Sequence, residues 1–152
     1  MDFHLDALLN LPYITVESCI QQEQGVLLKL RCLNEQSDYP HCQHPSHEIH
    51  QNRPGLIRDL SVFGQLTQLQ VPRRQCYCGN CQRYFTECLS FVDWERRHTQ
   101  RYEEHLDQQV QSSSMEQVSR MENLSWDQVQ GVFMHRFSQK KNRLGGRKAT
   151  GP

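Results

Sequence analysis

The chain has 152 residues, with 17 basic and 17 acidic side chains and so a formal net charge of zero. Hydrophobic residues make up 36% and the mean hydropathy is −0.78, too thin for one large core, so the length suits one ordinary domain or two small ones. No stretch approaches the roughly 20 apolar residues of a membrane span, and the start MDFHLDALLNLPYI lacks the basic and apolar regions of a secretory leader, so the seven cysteines are expected in a reducing, cytoplasmic setting rather than in disulfides.

Residues 2–9 read as a short helix, with Phe3, Leu5, Leu8 and Leu9 on one side and Pro12 stopping it. From Tyr13 the apolar period changes to two. Ile14, Val16, Ser18 and Ile20 alternate with Thr15, Glu17 and Cys19, and after a turn at Gln24-Gly25 the series Val26, Leu28, Leu30, Cys32 repeats the pattern, which is a β-hairpin. Residues 34–55 are polar and loop-like. Extended character returns near 56–63 and over 65–77, with a turn at Phe63-Gly64-Gln65 and with Leu69 and Val71 on one face. After Trp94 the period becomes helical, and Tyr102, Leu106 and Val110 draw a narrow stripe over 98–111. Ser113 or Ser114 is placed to cap a short helix carrying Met115 and Val118. Glu122-Asn123-Leu124 then makes a turn, and Ser125 with Gln128 forms a capping box for a second helix. Its inward face is expected to be Trp126, Val129, Val132, Phe133 and Phe137. Two short helices across a tight turn, packed on an earlier one, satisfy a helix-turn-helix.

The segment VPRRQCYCGNCQRYFTE, residues 71–87, carries the chemistry. Cys78 and Cys81, two residues apart across Gly79-Asn80, present two thiolates to one metal, as a zinc knuckle does, and a tetrahedral zinc then needs ligands from elsewhere. A redox pair would open a helix, whereas the context here is β. Cys42, in Tyr39-Pro40-His41-Cys42-Gln43-His44, is the expected third ligand. Tyr39 stands where a knuckle would have its first cysteine, and a tyrosine hydroxyl is a poor zinc ligand at neutral pH. The fourth position is open to His44, to Cys76, or to His41 or His47, or is left unfilled. Arg73, Arg74 and Arg83 flank the knuckle, and Arg96, Arg97 and Arg101 lead into the first long helix. Such residues suit phosphate contact, although Glu103, Glu104, Asp107, Glu116, Glu122 and Asp127 also fit a solvated surface of mixed charge. In the second short helix Gln128 has the groups to pair with an adenine edge, and Gly131 allows close backbone approach. From Arg136 onward the charged residues are all basic, among them Lys140 and Lys141. That composition, with three glycines, reads as a disordered basic tail over 139–152. The expected fold class is α+β: a small zinc-ribbon-like antiparallel β module over 1–95, then a helix-turn-helix over 96–138.

VPRRQCYCGNCQRYFTE, the Pro-x-Cys knuckle before it, LIRDLSVFGQ between them and the later SSMEQVSRMENLSWDQVQGVF together resemble the N-terminal half of a bacterial insertion-sequence transposase family, over roughly residues 1–138. In that family a zinc-ribbon head precedes a helix-turn-helix and a ribonuclease-H-like DDE catalytic domain. The resemblance implies zinc on Cys42, Cys78 and Cys81, with Tyr39 replacing the fourth ligand, and binding of transposon-end duplex DNA. It also allows association with itself or with a full-length transposase. Two-metal strand transfer needs carboxylates converging from a separate α/β domain, for which this sequence leaves no room, so no catalytic residue is assigned and no enzymatic activity is expected. The rival readings are a zinc-stabilised protein-interaction module and a remnant without function.

Overall fold

The computed structural model describes residues 3–34, 37–38, 42, 45–46 and 48–149. The chain is α+β and divides into two compact units, residues 1–99 and 100–152.

The first unit opens with helix α1, Phe3–Leu9, which ends where Asn10 takes a positive φ of 51°. Asp6 of this helix accepts hydrogen bonds from the Thr15 hydroxyl (2.8 Å) and the Val16 amide (2.7 Å), fixing α1 on the strand that follows. That bond also explains why Thr15 is buried, against the simple alternation. Strands β1 (Ile14–Gln21) and β2 (Gly25–Cys32) form the expected antiparallel hairpin. After the short strands β3 (Ser37–Asp38) and β4 (Pro45–Ser46) come β5 (Ile49–Asn52), β6 (Gly55–Val62) and β7 (Gln65–Val71). The β6–β7 hairpin turns through Phe63 and Gly64, both at positive φ (51° and 77°), the two-residue geometry that matches strand twist.

The sequence pattern did not disclose how these hairpins join. β2 pairs in parallel with β7, giving a four-stranded sheet of order β1-β2-β7-β6. Its core holds Leu9, Ile14, Val16, Leu28, Leu30, Ile57, Leu69, Val71 and Phe91. The parallel junction depends on Gly25, which lies opposite Leu66: a Cβ there would sit 1.8 Å from the Leu66 carbonyl oxygen.

The extended run expected over 65–77 is two strands. Pro72, which has no amide proton to continue a ladder, separates β7 from β8 (Arg74–Cys78), and β8 joins a different sheet of order β5-β8-β9, with β9 at Arg83–Thr86. The β module is therefore larger than a ribbon alone, because a four-stranded sheet with its own core stands before the three-stranded one.

In the second unit α2 is Gln100–Ser112, α3 is Met115–Glu122 and α4 is Trp126–Ala149. Ser114 is the N-cap of α3, accepting from the Gln117 amide, and Asn123 ends α3 in the left-handed region. Tyr102, Leu106, Val118, Val129 and Val132 are its buried apolar side chains. Trp126 and Phe137, expected inward, are 47% and 54% exposed, because the buried face of α4 is centred on Val129 and Val132. α4 also continues past Phe137 to Ala149, through residues that composition assigned to a disordered tail. Lys, Arg, Leu and Ala are good helix formers, and ion pairs from Arg136 to Glu104 (3.0 Å) and from Lys140 to Asp107 (2.6 Å) hold this part of α4 to α2.

Gly25→Ala is expected to lower the stability of the β unit by about 1–3 kcal/mol, since Leu66 must yield to the new methyl group. Denaturant titration followed by circular dichroism measures this, and an unchanged midpoint would contradict the close approach.

Candidate metal centre and nucleic-acid interface

The three-stranded sheet has an inner face on which Cys76, Cys78 and Phe85 are buried, with Cys42 and Cys81 packed against them. Period-two geometry puts Arg74, Cys76 and Cys78 on that face of β8. The turn through Gly79 and Asn80 then returns Cys81 to Cys78, while Cys42 arrives from the polar segment before β4. The Sγ atoms of Cys42, Cys78 and Cys81 all lie within 4.8 Å of one another, and those of Cys42 and Cys78 are 3.5 Å apart. A metal with thiolates at about 2.3 Å in tetrahedral array sets neighbouring sulfurs about 3.8 Å apart, so the cluster has the dimensions of three corners of such a site. The Cys81 thiol is pushed up to about 11, chiefly by its hydrogen bond with Cys42, then by desolvation and the adjacent Cys78. A bound cation would displace these protons, which is the chemistry a thiol cluster offers. Cys76 is buried on the same strand face, yet its sulfur is not one of the three that converge. Tyr39, His41, His44 and His47 lie outside the described residues. All seven cysteines are free of disulfides.

Of the arginines expected at phosphates, Arg74 is elsewhere. Its Nε and Nη2 donate to the two carboxylate oxygens of Glu87 at 2.7 and 2.8 Å, and Nη1 donates to the Asn34 carbonyl at 2.6 Å. Both side chains are at most 10% exposed. Hydrogen bonding to Glu87 raises the guanidinium pKa although burial opposes it. Cys32 lies against the same carboxylate, and burial first, then the Glu87 charge, pushes its thiol up to about 11. This pair ties β8 and the end of β9 to the segment leaving β2, so Arg74 joins the two sheets and faces no solvent-borne ligand. Arg73 and Arg83 are exposed, Arg97 is exposed and Arg96 half-buried. Arg58, which sequence reasoning passed over, meets this group because its amide donates to the Arg97 carbonyl (2.9 Å) and its carbonyl accepts from Thr99 (2.9 Å). Burial, then the charges of Arg96, Arg58 and Arg97, push His98 down to about 4.

In the second unit Arg101 is half-buried and Lys141 exposed, whereas Lys140 is held by Asp107. The three-residue turn Asn123-Leu124-Ser125 separates α3 from α4, and the capping box is formed as expected. The Gln128 amide donates to Ser125 Oγ (3.1 Å) and the Ser125 amide to Gln128 Oε1 (2.9 Å). That bond occupies the oxygen Gln128 would need for an adenine edge. Opposite the buried Val129 and Val132, the residues Asp127, Gln130, Gly131 and Met134, spaced i, i+3, i+4, i+7, share an exposed stripe. A Cβ on Gly131 would meet nothing within 4 Å, so no contact in the chain calls for glycine there.

A zinc-finger profile of transposase IS204/IS1001/IS1096/IS1165 matches residues 40–81, and the helix-turn-helix domain of transposase family ISL3 matches residues 87–136. These matches mark an N-terminal ISL3-type transposase region. A transposase for insertion sequence element IS1001 from Bordetella parapertussis is 32% identical over 82 residues, 54% of this chain and 20% of that protein. The chain thus aligns with about a fifth of the length of that relative. No solved structure matches it. Among its described residues no helix is long and apolar enough to cross a membrane.

Arg74→Ala in the ISL3-type region leaves Glu87 buried without its cation, and the β unit is expected to lose about 3–5 kcal/mol. Arg73→Ala, at an exposed neighbour, should change stability by no more than about 0.5 kcal/mol. Equal denaturation midpoints for the two variants would contradict this division of roles.

Proposed function

We propose that this chain is the DNA-binding head of a transposase-like protein, that it recognises transposon-end duplex DNA, and that zinc on Cys42, Cys78 and Cys81 holds its ribbon together. The observation that carries the DNA reading is the capped α3–turn–α4 arrangement, with an exposed stripe along the first turns of α4. In this reading α4 enters the major groove from Ser125, and Gln130 replaces Gln128 as the reader of a base edge because the Gln128 oxygen is engaged at the cap. Gly131 lets the helix backbone approach the duplex. Arg101 and Lys141 of the helical unit contact phosphates, and the β unit offers Arg73, Arg83, Arg96 and Arg97 as cationic contacts of its own. Zinc is the metal best matched to a thiolate cluster of these dimensions in a zinc-ribbon setting. Free thiols throughout and a DNA partner suit a reducing, cytoplasmic location.

The metal reading predicts that protein purified without chelator carries one zinc per chain. Cys78→Ser should release it and unfold the ribbon, since structural zinc contributes about 10–16 kcal/mol in small modules. Native protein free of zinc, with unchanged folding in Cys78→Ser, would overturn it.

The DNA reading is tested by selection from a randomised duplex library, followed by titration of the selected duplex. Affinity should fall steeply with salt, and Lys141→Ala should reduce the log-log slope by about 0.9. Gln130→Ala should cost about 1–3 kcal/mol on the selected site and relax base preference there, while Gln128→Ala should cost about 1 kcal/mol of helix stability through the lost cap. Gly131→Ala should stabilise the helix by about 1 kcal/mol yet weaken duplex binding. A flat salt response with no selected sequence would favour a protein-interaction module.

A further inference from the structure

The outer face of the three-stranded sheet, turned away from the cysteine cluster, carries aromatic rings and amides that the duplex-reading function, which enlists only Arg73 of this face, does not use. Tyr77 and Tyr84 oppose each other across β8 and β9, with ring centroids 5.1 Å apart at 57°. His50 on β5 lies 5.1 Å from the Tyr84 ring. Tyr84 is 57% exposed and His50 is exposed, so these rings form a platform open to solvent. One tier along the same ladder stand Gln51 and Gln75, joined by a 2.5 Å hydrogen bond, with Thr86 opposite Gln75. The ladder then ends at Arg53 and Arg73, both exposed, where the Arg53 amide donates to the Arg73 carbonyl at 3.1 Å. The Arg73 guanidinium lies over Gly55, where an added Cβ would come within 2.8 Å of its Nε, so the missing side chain gives the arginine its resting place.

Beyond the arginines the face runs into a groove of about 590 Å³ lined by Gln51, Gln75, Arg53, Arg73, Trp94 and Arg96. Trp94 is 62% exposed. Of the acids along the groove, Glu87 is neutralised by Arg74, while Asp93 and Glu95 flank Trp94 in the sequence. Aromatic faces, then amides, then guanidinium groups therefore follow one another along one sheet.

We propose that this face binds single-stranded DNA, with bases stacked on Tyr84, Tyr77 and His50 and phosphates following Arg53 and Arg73. Every base has a π face, and aromatic platforms beside cationic groups hold single strands whatever their sequence. A duplex hides those base faces in its stack, so an exposed ring platform has no partner there. The cations complement a polyanion, and the amide tier offers donors and acceptors to base edges. The choice of DNA over RNA rests on the reading of α4 as a DNA-binding helix.

The test is fluorescence anisotropy of a labelled oligothymidine strand against the full zinc-loaded chain. Tyr84→Ala and Arg73→Ala should each weaken binding about tenfold, Tyr84→Phe should retain it, and Gln130→Ala, which tests the duplex reading, should leave it unchanged. Both substituted residues are exposed, and equal zinc content and melting temperature verify folding. Unaltered oligothymidine affinity in Tyr84→Ala and Arg73→Ala would overturn the proposal. So would an equal loss of duplex binding in Tyr84→Ala, or tighter binding of oligouridine than of oligothymidine.

Discussion

The convergence of three sulfurs at the end of β8 is the constraint on which the ribbon depends. Around it the buried apolar side chains are Cys76, Cys78 and Phe85, far too few to repay the conformational entropy of the strands they hold. In the proposed reading a metal shared by Cys42, Cys78 and Cys81 substitutes for a core, closing the loop between distant parts of the chain and fixing the inner face of β8. That inner commitment decides the outer face as well. With alternate residues of β8 turned toward the sulfurs, Gln75 and Tyr77 have to face solvent, and they meet Thr86 and Tyr84 across the ladder.

A second, ionic joint keeps this small sheet on the larger one. Arg74 reaches from β8 to Glu87 and to the Asn34 carbonyl just beyond β2. Pro72 interrupts the strand, and the buried pair supplies the fixed point where the chain changes sheets. Such a pair stabilises little relative to a well-packed apolar contact, but its geometry is specific. It has the directional bonds that a junction between two sheets requires. The helical unit is organised differently, by caps and ion pairs along its helices. Ser114 and Asn123 set where α3 begins and ends, Ser125 sets where α4 begins, and Tyr102 and His105 both reach Glu122 near the end of α3.

Much of this was legible in the sequence wherever the determinant is local. Alternation gave the β1–β2 hairpin, Phe63-Gly64 the second turn, and Ser125 with Gln128 the start of α4. The Cys78-x-x-Cys81 spacing and the Pro-x-Cys before it pointed to sulfurs that the fold does bring together. What escaped was decided by residues far apart in the chain. Alternation with Cys76 and Cys78 sets Arg74 apart from exposed Arg73, but the partner that lets a guanidinium be buried there, Glu87, lies across the sheet. Lys140 resembled a tail residue until α4 continued alongside Asp107. The parallel pairing of β2 with β7 left a trace only in Gly25, whose neighbour Leu66 is 41 positions away (66 minus 25). Cys76 has the right chemistry and the right strand face, yet its sulfur stands apart from the three that meet.

The central claim is that Cys42, Cys78 and Cys81 hold one metal ion between them, and X-ray absorption at the zinc edge of the native protein tests it most directly. The account predicts a shell of three sulfurs at about 2.3 Å completed by one lighter ligand. A shell made only of nitrogen and oxygen, or no zinc signal at all, would contradict it.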